Sequence, residues 1–298
     1  MKSIVPVAGL GTRFLPETKA VPKEMLPILD RPVIQHIVEE AIAAPDCDGC
    51  VLVTSRSKPL IEDYFTKHPE FNAMLRGRGK EELAQECERA ESLPVSFVYQ
   101  EEPLGLGHAV HCACGQTADE PFYVLLGDVV VPGHTILTKL AEVSRAHGGA
   151  SVIAVVAVPE SEVSRFGVIA GEFVGSCSET AVGDENAPGA VWRISSMVEK
   201  PAVEEAPSRL AIFGRYLLSH RVMELLSTQE PGKGGEIQLT DALLRALADE
   251  EMYAVVIGPE EGYDTGTIPN YVAAHVRIAL DDPEHGASLR EMLGDLLA

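Results

Sequence analysis

The 298-residue sequence predicts an α/β fold, a mixed and mostly parallel sheet flanked by helices. Three observations carry that expectation. Apolar runs of strand length recur through the first half of the chain, helical patterns lie between most of them, and the first run breaks into a glycine-rich loop. The runs are Ile4 to Ala8, Cys50 to Thr54, Val95 to Tyr99, Phe122 to Leu126 and Val152 to Val158.

The first run ends in Gly9-Leu10-Gly11-Thr12-Arg13, a turn that carries Arg13 and, further on, Lys23 toward solvent. Glycine has no Cβ, so backbone amides there can come close to a phosphate oxygen while the two cations neutralise its charge. The dinucleotide fingerprint Gly-x-Gly-x-x-Gly does not fit, because Phe14 stands where the third glycine must pack against a helix. Pro16, Pro22 and Pro27 also forbid an uninterrupted helix after the turn. A long, rigid loop is expected instead.

Val33, Ile34, Ile37, Val38 and Ala41 follow the helical period, with Pro32 suited to the first turn and Glu39 and Glu40 assigned to the wet face. Lys58 to Glu91 is charge-rich, with Leu75, Leu83 and Cys87 as recurrent apolar positions, and reads as a helical excursion between the second and third strands. His108 and His111 share a predicted helix, either as a zinc pair lacking a third ligand or as surface groups with local hydrogen bonds. Gly171 to Pro188 lacks periodicity and is read as an exposed hairpin or loop. Strands are then expected at Val191 to Val198, Leu210 to Tyr216 and Tyr253 to Ile257, and helices near Ser219 to Ser227 and from Gln238 to Asp249. The closing segment, Tyr271 to Leu297, is helical with a break at Pro283.

Hydrophobic residues make up 46% of the chain, which is therefore globular. Its net charge of -21, from 24 basic and 45 acidic side chains, argues against nucleic acid or an anionic membrane as partner. The opening loop is exempt from this acidity. Between Gly11 and Arg31 the cations Arg13, Lys19, Lys23 and Arg31 outnumber Glu17, Glu24 and Asp30 by one. No apolar stretch approaches a membrane span, and Met1-Lys2-Ser3 runs straight into a strand without a signal-peptide pattern, so a cytoplasmic location is expected. Six cysteines are too few and too scattered for a secreted disulfide framework. Cys47-Asp-Gly-Cys50 has metal-ligand spacing, but Cys112-Ala-Cys114 is too tight for a second knuckle, which leaves buried free thiols as the plainer reading.

Further strings join the loop Pro22-Lys23-Glu24-Met-Leu-Pro27: Gln100-x4-Gly105-Leu-Gly107-His108, Leu126-Gly127-Asp128, Arg165-Phe-Gly167-Val, Val198-Glu199-Lys200-Pro201, Leu210-Ala-Ile-Phe-Gly214-Arg-Tyr, Gly235-Glu236-Ile-Gln238-Leu-Thr-Asp241 and Gly262-Tyr-Asp264-Thr-Gly266. In this order the chain resembles the bacterial UTP:glucose-1-phosphate uridylyltransferases, within the sugar-1-phosphate nucleotidylyltransferase superfamily, as far as about Ala279. The resemblance implies a Rossmann-like, nucleotidyltransferase-type fold. It implies one domain over residues 1–280, with a nucleotide-binding half (1–132) and a sugar-phosphate half (151–280) on one sheet, and a helical tail at 281–298. It also implies assembly as a homo-dimer or homo-tetramer.

The reaction implied is attack by the phosphate of glucose 1-phosphate on the α-phosphorus of UTP, with Mg²⁺ and with loss of pyrophosphate. The nucleophile is already an anion, so the site needs positioning and charge stabilisation rather than a general base. In the resemblance Asp128, at a strand's C-terminal end, is the Mg²⁺ ligand and Asp264 the second metal-facing carboxylate. Arg13 suits the leaving pyrophosphate, since its fork binds two oxygens. Lys23 holds the triphosphate, Lys200 the sugar phosphate, and Glu199 the sugar hydroxyls. Gly11 and Thr12 belong to the phosphate loop. Ala8, Gly9 and Gln100 read uracil, Gly105 and Gly107 permit close approach of base and ribose, and Gly167 lies at the sugar wall. After Asp264-Thr-Gly266 the family usually continues Asn-Lys, whereas this chain has Thr267-Ile268, so the sugar or metal side of the pocket is expected to differ. Two other readings stay open: the same chemistry with another nucleotide or a modified sugar 1-phosphate, and a silent sugar-nucleotide-binding regulatory subunit. The second conflicts with the joint presence of Arg13, Lys23, Asp128, Lys200 and Asp264.

Overall fold

A computed structural model describes residues 1–177 and 184–297. Its strands are β1 (Ser3–Pro6), β2 (Pro27–Ile28), β3 (Arg31–Pro32), β4 (Cys50–Thr54), β5 (Val95–Tyr99), β6 (Phe122–Leu125), β7 (Val129–Val130), β8 (Ser151–Ala157), β9 (Gly167–Ser176), β10 (Ala190–Glu199), β11 (Leu210–Leu218), β12 (Met252–Val256) and β13 (Tyr263–Asp264). Nine of them make one sheet in the order β5-β4-β1-β6-β11-β8-β12-β10-β9. The β5-β4-β1-β6 side is wholly parallel. From β6 onward the pairings are antiparallel except for β8 with β12, so the sheet is mixed, with its parallel character concentrated in the first half.

Strand alternation splits the core into two layers. Ile4, Val51, Val53, Phe122 and Val124 face one side, against the helices Leu106–Cys112, His220–Ser227 and Leu239–Ala246. Val5, Cys50, Leu52, Tyr123 and Leu125 face the other, against Val33–Ala43, Pro59–Phe65 and Thr135–Ala146. Each aliphatic side chain so buried contributes about 1.5–3 kcal/mol.

Two local readings need correction, at Glu40 and at Leu83, whereas the hairpin expected within Gly171 to Pro188 is present. Glu40 is not on a wet face: its side chain is fully buried and bidentate to Arg215, a partner that helical periodicity cannot reveal. The excursion consists of three helices, Pro59–Phe65, Pro69–Gly77 and Glu81–Glu91, but Leu83 is 52% exposed while the smaller Ala84 is buried. Within Gly171 to Pro188, β9 continues to Ser176 and pairs with β10 as a hairpin, and residues 178–183 lie outside the described residues. The closing helices are Ile268–Asp281 and Gly286–Leu297, with Pro283 between them.

Candidate active site

The opening loop forms three short 3-10 turns, Thr12–Phe14, Glu17–Lys19 and Lys23–Met25, as its prolines demand. Gly11 takes φ 64°, a left-handed conformation that favours glycine, and Thr18 Oγ1 donates to its carbonyl at 2.8 Å. Phe14 is buried and meets the Tyr271 ring edge-on at 5.9 Å, while the Tyr271 hydroxyl donates to the Pro27 carbonyl. The helix Ile268–Asp281 thus holds the loop at both ends. Arg13, next to Phe14, is exposed and donates from Nη1 to the Gly266 carbonyl at 3.4 Å.

Lys23 does not project into solvent as expected. It folds back so that Nζ donates to Asp128 Oδ2 at 2.8 Å. Burial by itself would lower the lysine's pKa, but Asp128 and Glu24 more than offset this and raise it above 10.5. Burial likewise pushes the Asp128 carboxyl up, and Lys23 and Arg13 override it, holding the group below 3.8. Under this pair lies a second that sequence reasoning missed. Glu24 is 1% exposed and accepts from Lys58 Nζ at 2.9 Å; the same ammonium donates to the Val7 carbonyl at 2.6 Å. Burial raises Glu24 and lowers Lys58 despite their attraction.

Asp128 leaves the C-terminal end of β6, and its carbonyl accepts from Thr265 N and Oγ1, which ties it to the segment bearing Asp264. Asp264 Oδ1 accepts from Gly266 N and Oδ2 from Asn270 Nδ2, both at 2.7 Å. A Cβ on Gly266 would lie 2.9 Å from Asp264 Oδ1, 3.1 Å from Asp128 Oδ2 and 3.6 Å from Arg13 Nη1. Two carboxylates and a guanidinium therefore surround one small space that only glycine leaves open. Paired, pre-oriented carboxylate oxygens are the donors a hard divalent ion takes together with substrate phosphates. Among the described residues no group of three or more His, Cys, Asp or Glu forms a metal site, so any ion here would complete its shell from substrate and water.

Ala8, Gly9, Lys23, Gln100, Gly105 and Asp128 line a cleft of about 340 Å³, joined by Glu24 and Glu236. Gln100 Nε2 donates to the Gly105 carbonyl and faces His108 Nδ1, both at 3.0 Å, which accounts for His108 as a local hydrogen-bonding group. The reason given for Gly107, and in part for Gly105, needs correction. Their missing Cβ positions face protein: at each, a Cβ would lie 2.8 Å from the Ile237 carbonyl. Close packing against residues 236–238 requires these glycines, although Gly105 also lines the cleft.

At the C-terminal end of β10, Lys200 Nζ lies 3.3 Å from Glu199 Oε1, and Thr240 Oγ1 donates to Glu199 Oε2 at 2.8 Å. Lys200 has φ 46°, a left-handed conformation costly for lysine and typical of functional positions. A Cβ at Gly167 would sit 3.2 Å from Glu199 Oε2, so this glycine makes room for that carboxylate. Thr240 and Arg165 stand in strings that carry the resemblance, but the sequence assigns neither a role. Arg165 Nη2 comes within 3.8 Å of Asp264 Oδ2, and its place beside Phe166-Gly167 was the available signal. Thr267, at the position that departs from the family pattern, caps the following helix by accepting from Asn270 N.

Residues 2–280 match the family model described as nucleotidyl transferase. The chain belongs to that family. The UTP–glucose-1-phosphate uridylyltransferase of Staphylococcus epidermidis is 41% identical over 297 residues, covering 99% of this chain and 98% of that protein. The UTP–glucose-1-phosphate uridylyltransferase YngB of Bacillus subtilis is 40% identical over 298 residues, with 99% and 95% covered. Among solved structures, UTP-bound UGPase from Acinetobacter baumannii superposes with a TM-score of 0.85 at 35% identity over 99% of both chains. A UDP-glucose pyrophosphorylase complexed with UDP-glucose gives 0.77 at 37% identity, over 92% of this chain and 96% of that one. These relatives bear out the expected resemblance and make the nucleotidyltransferase fold that of this chain.

Proposed function

We propose that this nucleotidyltransferase transfers the uridylyl group of UTP to glucose 1-phosphate, giving UDP-glucose and pyrophosphate. The observation that carries the reading is the convergence of Arg13, Asp128 and Asp264 around Gly266, beside a cleft walled by Ala8, Gly9 and Gln100. A sugar phosphate oxygen forms the new bond to the α-phosphorus as the bond to the bridging oxygen breaks, and that electron pair leaves on pyrophosphate. Arg13 takes the leaving pyrophosphate, Lys23 exchanges Asp128 for the triphosphate, Lys200 anchors the sugar phosphate, and Glu199 accepts from sugar hydroxyls. Asp128 and Asp264 would hold Mg²⁺, which would supply positive charge to offset that of the phosphates. Ala8, Gly9 and Gln100 orient the base, and Thr240 fixes Glu199.

Residues 1–280 act as one domain in this reading, and the protein works in the cytoplasm; among the described residues no helix is long and apolar enough to cross a membrane. Assembly through the closing helices, where Met292, Leu296 and Leu297 are exposed, is read by sedimentation. The deciding experiment is pyrophosphate release from a panel of nucleoside triphosphates and sugar 1-phosphates. The highest kcat/KM is expected for UTP with glucose 1-phosphate. Preference for another pair, or release from none, overturns the assignment.

A further inference from the structure

Arg215 and Glu40 have fully buried side chains, yet neither faces the cleft. Arg215 Nε donates to Glu40 Oε1 at 2.8 Å and Nη2 to Oε2 at 2.7 Å, a bidentate pair between β11 and the helix Val33–Ala43. The remaining hydrogens go to backbone. Nη2 donates to the Val129 carbonyl at 2.7 Å, and Nη1 to the Gly214 carbonyl at 3.1 Å and the Leu126 carbonyl at 3.3 Å. All five donors of the guanidinium are used, which a lysine could not reproduce.

Leu126 and Val129 bracket Gly127-Asp128, so the guanidinium grips both ends of the turn that bears the carboxylate. β11 is shaped to deliver it. Its register with β8 shifts between Ile212 and Tyr216, and Gly214 inside that irregularity has φ 83°, the kind of bulge that re-aims a side chain beside a site. Stability alone is a poor reason for such a pair, since apolar residues of similar volume commonly serve as well.

We propose that Arg215, held by Glu40, is a positioning residue that fixes the turn 126–129 and through it the direction of the Asp128 carboxylate. Its consequence for turnover rests on the role given to Asp128 above, whereas the clamp itself does not.

The test compares wild type, Arg215→Lys and the double variant Arg215→Met with Glu40→Met, as full-length protein. It reads hydrogen exchange of residues 126–130 without ligand, the unfolding midpoint, kcat, both KM values and the Mg²⁺ concentration giving half-maximal rate. Arg215→Lys is expected to speed exchange in that turn about tenfold. Its kcat should fall roughly 10- to 100-fold, as for a misplacement of about an ångström, with the Mg²⁺ requirement raised and the KM for glucose 1-phosphate within about twofold. The double variant should recover thermal stability without recovering turnover. Unchanged exchange in Arg215→Lys, or wild-type kcat and Mg²⁺ dependence in either variant, overturns the proposal. Should the double variant not fold, Arg215→Lys decides alone. Should the wild type release no pyrophosphate from any substrate pair, the functional reading fails while the exchange comparison still judges the clamp.

Discussion

Asp128→Asn removes one charge while keeping the side chain's shape and the backbone bonds from Thr265. In the free protein it deletes the 2.8 Å pair with Lys23, whose side chain is 19% exposed against 28% for Asp128. Such a pair lies between an open surface bridge, about 0.2–1 kcal/mol, and an interior hydrogen bond to a charged group, about 1.5–3 kcal/mol. A stability loss of about 1–2 kcal/mol is expected, or roughly 2–6 °C in midpoint for a chain of this size. Turnover should suffer more, because charge aimed at a redistributing phosphate is worth about 10²- to 10³-fold, or ~2.7–4 kcal/mol. The KM for UTP should move little, since Arg13 and Lys23 remain.

The pH dependence follows from the directions of the two shifts. Asp128 is lowered in the folded state, so its contribution is present above its ordinary 3.8 and is lost as pH falls through the folded value. Lys23 is raised, so its contribution is present below 10.5 and is lost as pH rises through the folded value. The stability gap between wild type and variant should therefore be constant from pH 3.8 up to the pH at which Lys23, deprived of Asp128 in the variant, gives up its proton. Urea unfolding at several pH values gives the gap, and pyrophosphate release gives the rate. An Asp128→Asn protein that loses the stability but keeps more than about a third of kcat would show that the carboxylate serves Lys23 alone.

Lys200→Ala should raise the KM for glucose 1-phosphate at least about tenfold and leave that for UTP within about twofold; equal increases would mean the lysine holds the other phosphate. Gly107→Ala should destabilise by about 1–3 kcal/mol, because its Cβ would lie 2.8 Å from the Ile237 carbonyl, even though helix propensity favours alanine by about 1 kcal/mol. Gly9→Ala, with nothing within 4 Å of its Cβ, should melt like wild type, and indistinguishable midpoints for the two variants would refute the packing argument. Lys58→Met strips Glu24 of its ion-pair partner and should cost about 3–5 kcal/mol in urea unfolding, part of it restored by Glu24→Gln. A loss below about 1 kcal/mol would show that Glu24 is protonated in the native protein.

What the sequence disclosed was mostly local. Glycine and proline in the opening loop constrain their own backbone, so the absence of a helix there and the turn at Gly11 were legible. The place of Asp128 at the cleft was legible because it follows a strand end in an open sheet, where ligands gather. Pairings that join distant segments were not. Glu40 and Arg215 stand 175 positions apart, and a helical wheel drawn through Glu40 gives no hint of a cation arriving from β11. Lys58 lies 34 positions from Glu24 and reads as one more charge in a charged stretch. For Gly107 the residue type was informative but its neighbour was not, since what needs the space is the backbone at Ile237 rather than a substrate.

The seam between the parallel and antiparallel parts of the sheet is a ladder, with Phe122–Leu125 running against Arg215–Leu218, not a flexible connector. The two sides cannot swing apart like a pair of jaws without breaking it. The same seam governs engineering. A chimaera that borrows the far side from a relative has to keep the register of that ladder, whereas changes at Thr240 or Thr267, which lie outside the strands, leave it alone.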